Sequence, residues 1–101
     1  TLDRSRLRVS AGKSGIELTA VEFALLETLH SAPGRIFSRA RLMERIYRDH
    51  RVVSDRTIDS HIKKLRRKLA DLVPDLDLIH SVYGVGYRYE ERKTEPEPDS
   101  L

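Results

Sequence analysis

The sequence predicts an α+β domain: an N-terminal antiparallel sheet, three helices that form the core, and a C-terminal β-hairpin. Two observations carry this expectation. Apolar and polar residues alternate around glycine-containing turns near both ends of the chain, and between those ends apolar residues recur at helical spacing in three stretches. A third observation bounds it: at 101 residues, 39% hydrophobic and 35% charged, the chain is long enough for one core and too short for two.

Leu7 and Val9, then Ile16 and Leu18, flank Ala11-Gly12-Lys13-Ser14-Gly15 and read as an antiparallel hairpin, with Leu2 placed for a further pairing. Thr19-Ala20-Val21-Glu22 has capping-box spacing, in which the hydroxyl and the carboxylate satisfy orphan backbone N–H groups at a helix start. A first helix is therefore expected from about Ala20 to Ser31, with Phe23, Leu25, Leu26 and Leu29 facing the core and Pro33-Gly34 stopping it. Ser38 is an N-cap for a short second helix to about Tyr47, which turns Leu42, Met43 and Ile46 inward. Residues 48–53 read as a connecting loop, and Ser54 caps the third helix with Asp55 at its positive end.

The third helix, about Asp55 to Leu72, carries Ile58, Ile62, Leu65, Leu69 and Leu72 in strict four-three-four-three spacing. At about 100° per residue, Arg56, Ser60, Lys63 and Arg67 project opposite that stripe, with Lys64 and Arg66 on its two flanks. Pro74 ends the helical pattern. Leu78–Val82 and Tyr87–Tyr89 are β-rich and flank Tyr83-Gly84-Val85-Gly86, which gives a second hairpin. The domain is expected over 1–90, and 91–101, lacking apolar periodicity, reads as a disordered acidic tail.

The formal net charge of +3 conceals an asymmetry: residues 35–68 carry twelve basic and four acidic side chains, whereas 1–34 are balanced and 69–101 are net acidic. A concentrated basic segment is the footprint of a phosphate-backbone binder, although a basic helix face is also compatible with simple solvation. A single helix fits the DNA major groove, about 12 Å wide. Arg56, Lys63 and Arg67 suit phosphates or guanine edges, Ser60 suits a base edge, and the hairpin tip suits the adjacent backbone or minor groove. Two alternatives stay open: the basic face docks an acidic protein, or it binds RNA, whose deep, narrow major groove disfavours a helix.

Other classes are disfavoured. No glycine-rich phosphate loop, no cysteine and no nucleophile–base pair is visible, so no enzyme, no catalytic residue and no cofactor is expected. His30, His50, His61 and His80 are too widely spaced for a local metal pair, so no metal is expected. No apolar stretch approaches the roughly 20 residues of a membrane span. The N-terminus has neither a signal-peptide pattern nor an initiator Met, so a cytoplasmic location and a missing partner domain are expected.

Four segments resemble the OmpR/PhoB family of response-regulator effector domains. They are Leu18-Thr19-Ala20-Val21-Glu22-Phe23-Ala24-Leu25-Leu26, Arg35-Ile36-Phe37-Ser38-Arg39, the run from Ser54 to Leu69, and Val82-Tyr83-Gly84-Val85-Gly86-Tyr87-Arg88, in that family's order from about Leu7 to Tyr89. The resemblance implies a winged helix-turn-helix with a four-stranded N-terminal sheet, a three-helix core and a hairpin wing. It implies binding to double-stranded DNA as a head-to-tail dimer on direct repeats, under an N-terminal receiver domain. By the same resemblance Arg56, Thr57, His61, Lys63, Lys64 and Arg67, with the outward Ser60, face DNA from the recognition helix. Ser81, Tyr83 and Arg88 do so from the wing and its flank. The segment Tyr47, Arg48, Asp49, His50 and Arg51 resembles the loop through which family members touch RNA polymerase. Two departures stand out: Lys64 and Tyr83 occupy positions where many members carry Arg, and a Lys there is a point charge without bidentate geometry.

Overall fold

Strands β1 (Leu2–Asp3), β2 (Arg8–Ala11) and β3 (Ser14–Glu17) form an antiparallel sheet in the order β1-β2-β3, with Leu2 opposite Val9 and Val9 opposite Ile16. Gly12 opens the two-residue turn between β2 and β3 at φ 59°, a value that a type II′ hairpin turn requires at that place and that glycine supplies without a Cβ clash. The computed structural model describes residues 1–49 and 55–93, with side chains over 1–46 and 58–93. Among the described residues the sheet has three strands, where the resemblance implies four.

Helix α1 (Ala20–His30) starts at the expected capping box: Glu22 N–H donates to Thr19 Oγ1 at 3.1 Å, and Thr19 N–H donates to Glu22 Oε1 at 3.0 Å. It ends where the Ser31 N–H reaches the Glu27 carbonyl at 3.0 Å. Helix α2 (Arg39–Asp49) follows Ser38, whose Oγ accepts from Arg41 N–H at 3.1 Å. It runs past the expected end at Tyr47, so Arg48 and Asp49, expected in the loop, are helical; no proline or glycine stands there to interrupt the ladder. His50, Arg51 and the Ser54 cap lie outside the described residues. Helix α3 spans Asp55–Leu72, a rod of about 27 Å at 1.5 Å per residue.

Strands β4 (Leu76–Val82) and β5 (Gly86–Lys93) form the second hairpin, with a register shift between Asp77 and Ile79. Strand β5 continues through Glu91, Arg92 and Lys93, past the expected tail boundary, because Leu76 and Asp77 pair with Lys93 and Arg92 through the backbone, whatever the side-chain charge. Phe37 adds to the sheet from the α1–α2 connection: its N–H donates to the Tyr87 carbonyl at 2.7 Å and its carbonyl accepts from Tyr87 N–H at 2.9 Å. Gly86 allows that approach, since a Cβ there would overlap the Phe37 carbonyl oxygen.

The core is where the three helical stripes meet. Leu25 and Leu29 of α1, Leu42 and Ile46 of α2, and Ile58 and Leu65 of α3 have no exposed surface, and Ile62, Leu69, Ile79, Tyr87 and Tyr89 close over them. Burying each such aliphatic side chain contributes about 1.5–3 kcal/mol of transfer free energy. Met43 and Leu72, expected inward, are half-buried at the rim.

Candidate nucleic-acid interface

The four-three spacing of α3 fixes what faces outward. With Ile58, Ile62, Leu65 and Leu69 buried, Ser60, Lys63, Lys64, Arg66 and Arg67 are exposed. None of the four cations is ion-paired among the described residues. Their charge is thus presented to solvent rather than neutralised within the fold, and the helix is a rigid positive edge of major-groove dimensions. His61 is half-buried, with Nδ1 buried and lacking a hydrogen-bond partner among the described residues. Arg56 and Thr57 sit in the first turn of α3, and only their backbone is described.

At the wing, Ser81 is exposed and Tyr83 is fully so at 101%, on a turn in which Gly84 takes φ 74°. Val85 beside it is also exposed. Arg88 stands apart from the tip: it is half-buried on β5, with Nε 3.7 Å from Glu90 Oε2. The structure therefore brings Ser81 and Tyr83 to an open hairpin end and holds Arg88 against its own strand. Of the loop residues expected to meet a protein partner, Tyr47, Arg48 and Asp49 form the last turn of α2.

What fixes α3 in place was not singled out by spacing. Asp59 Oδ1 accepts from Arg39 Nε of α2 at 2.7 Å and from the Tyr87 hydroxyl of β5 at 2.6 Å. The Arg39 guanidinium also lies 5.9 Å from the centre of the Tyr87 ring. Arg39, and then Tyr87, holds the Asp59 carboxyl below its usual range, while burial and the nearby carboxylate push the Tyr87 phenol up. One turn of helix before its C-terminal end, Lys68 Nζ donates to Glu22 Oε1 at 2.6 Å, so the buried capping carboxylate of α1 is also an ion-pair partner of α3. Burial opposes the charged form of Glu22, but Lys68 and the Thr19 N–H outweigh it and its pKa is lowered. No signal in the sequence singles out the first cluster, since α3 carries Asp55 and Asp71 as well as Asp59.

Residues 12–89 match the family model described as transcriptional regulatory protein, C terminal. The chain belongs to this family, of OmpR/PhoB type. It is 52% identical over 89 residues to the transcriptional regulatory protein BaeR of Escherichia coli O6:H1, a match that covers 88% of this chain and 37% of that protein. The chain thus spans little more than a third of the length of that relative. Among solved structures, the C-terminal domain of the nisin resistance regulator NsrR superposes with a TM-score of 0.81 at 26% identity, covering 92% of this chain and 93% of that one. The response regulator AdeR DNA-binding domain, solved in complex with an intercistronic region, superposes with a TM-score of 0.77 at 29% identity, covering 91% and 94%. As a winged-helix member of a family of transcriptional regulators, this chain is not an enzyme. No helix among the described residues is long and apolar enough to cross a membrane.

Proposed function

We propose that this chain is the DNA-binding output domain of a two-component response regulator that recognises specific double-stranded sequences to regulate transcription. The observation that carries the reading is the outward face of α3, Lys63, Lys64, Arg66 and Arg67 beside Ser60, unpaired among the described residues and presented on a helix held on both flanks. In this reading α3 enters the major groove, where Lys64 and Ser60 meet base edges and Arg56, Thr57, His61, Lys63 and Arg67 meet phosphates or flanking bases. The exposed wing end, Ser81 and Tyr83, lies on the adjacent backbone or minor groove, with Arg88 at its flank. The relative AdeR, crystallised with an intercistronic region, supports this assignment.

The partners follow from the same reading. An N-terminal receiver domain raises the effective concentration of paired output domains, which bind direct repeats head to tail. The end of α2 and the segment after it, Tyr47 to Arg51, meet RNA polymerase. The compartment is the cytoplasm.

Selection of bound sequences from a random duplex library at physiological salt tests the proposal. A short enriched motif, with affinity falling at about 0.9 log units per log unit of salt for each phosphate neutralised, is the expected result. Salt-sensitive retention without enrichment overturns sequence specificity, and a shallow salt slope points to a protein partner instead. In cooperative binding to two half-sites, shifting one by half a helical turn abolishes the cooperativity if the dimer is head to tail; unchanged cooperativity refutes that arrangement.

A further inference from the structure

An acidic side chain on a helix that approaches phosphates is an electrostatic liability, and Asp59 is half-exposed next to Ser60. The structure gives it work to do. Its Oδ1 is shared by two donors from two other elements: Arg39 at the start of α2 and the Tyr87 hydroxyl, one residue past the wing turn's closing Gly86. Tyr87 is also the residue whose backbone pairs with Phe37. A single carboxylate oxygen therefore joins α2, α3 and β5 at the turn end of the β4–β5 hairpin.

We propose that Arg39, Asp59 and Tyr87 are positioning residues that set the angle of the wing relative to α3, so that bases under the helix and bases under the wing are read in one fixed phase. The inference rests on the DNA-binding reading above. The side chains do not themselves need to touch bases. The backbone pairing with Phe37 ties Tyr87 to the α1–α2 connection, and the Tyr87–Asp59 hydrogen bond adds a tie from the hairpin to α3 itself, so its orientation on that helix is set before DNA arrives and less ordering cost falls on binding. The Asp59 charge also has a cation of its own in Arg39, which offsets its repulsion of phosphate.

Three variants separate this role from mere stability. Tyr87→Phe keeps the buried ring and removes the donor; Asp59→Ala removes the acceptor; Asp59→Asn keeps an acceptor oxygen for Tyr87 while the charge, and with it the ion pair to Arg39, is lost. In the free chain, residual dipolar couplings report the order of β4–β5 relative to α3. They are expected to fall together at the wing in Tyr87→Phe and Asp59→Ala, and to hold in Asp59→Asn. In duplex-library selection, the first two variants are expected to lose roughly three- to tenfold of the base preference at positions flanking the helix-read core, the scale of one hydrogen bond, and to keep the core preference. Asp59→Asn is expected to retain both. Unchanged wing order in Tyr87→Phe, or an equal loss of preference at every position, overturns the proposal. Wild-type chain that selects no motif refutes the sequence-specific reading instead, and the dipolar couplings still decide whether the wing is positioned by this cluster.

Discussion

Helix α3 is held at two places that differ in kind. Asp59, near its start, is half-exposed and bonded to Arg39 and Tyr87; Lys68, nine positions later, reaches the Glu22 carboxylate, which is 1% exposed. At about 100° per residue those two side chains leave the helix from opposite flanks. One contact ties α3 to the wing and the other ties it to the capping box of α1, and the face left open between them carries Ser60, Lys63 and Arg67. The buried contact is expected to govern whether the domain folds, and the half-exposed one how the folded domain reads DNA. Geometry alone does not make this distinction, since the distances are nearly equal at 2.6 and 2.7 Å; burial does, because water screens the first pair and barely reaches the Glu22 carboxylate.

Ile62→Asp is the reference for a purely structural loss. Ile62 is 2% exposed in the centre of the α3 stripe, and an unpaired carboxylate there is expected to unfold the domain, seen as loss of the cooperative thermal transition. A folded variant would mean that this face of α3 is not core. Next comes Lys68→Met, which keeps the aliphatic stem and strands the Glu22 charge. Removal of one partner of a buried pair costs ~3–5 kcal/mol, and the low end applies because Lys68 is partly exposed. Denaturant unfolding checks it; a change under 1 kcal/mol on that scale would place this pair with the surface ones. The same contact sets an acid dependence. The folded-state pKa of Glu22 is lowered, so its contribution is full above the ordinary glutamate value of 4.5 and is lost as pH falls through the folded value. Unfolding measured against pH should therefore show a steeper acid loss in the wild type than in Glu22→Gln, and identical slopes would remove Glu22 from the account.

The same contrast explains what could be read from the sequence. The elements were legible because each has a local cause: Thr19 and Glu22 at capping-box spacing, Ile58 to Leu72 at four-three spacing, glycines at 12 and 84 where the chain turns. Within α3 the exposed residues followed from the buried ones, so Ser60, Lys63, Lys64 and Arg67 were placed correctly by periodicity. Ends were less legible: β5 extends to Lys93 because strand pairing is a backbone property, and α2 reaches Asp49 because nothing in Arg48-Asp49 breaks a helix. The two pins were invisible for another reason. Arg39 lies 20 positions from Asp59, Tyr87 lies 28 from it, and Glu22 lies 46 from Lys68, so no window of sequence contains either cluster. The local spacing shows Glu22 as a cap, and the fold makes it an ion-pair partner as well.

Function can be perturbed without touching either pin, and there the expected effects are smaller. Lys64 is exposed and unpaired among the described residues. Its replacement by Ala should leave stability unchanged and cost about 1–3 kcal/mol of binding to the selected site, with relaxed preference at one base position. Arg56→Ala should weaken every sequence alike. Competition binding on matched and single-base-changed duplexes distinguishes them; if both variants behave alike, base reading and phosphate binding are not divided between these residues.

The smallest effect is expected at the wing tip. Tyr83 is fully exposed among the described residues, so Tyr83→Ala should leave unfolding within about 0.5 kcal/mol of wild type. The Tyr offers a ring and one hydroxyl but no charge, so a contact with DNA from this position would add nothing to counterion release. Affinity should therefore fall by a few-fold, within the ~0.5–1.5 kcal/mol of one hydrogen bond, while the slope of log affinity against log salt stays the same. Tyr83→Arg is the complementary change: it should steepen that slope by about 0.9, one phosphate's worth. If Tyr83→Arg leaves the slope unmoved, the tip does not reach the backbone, and the reading surface is α3 alone.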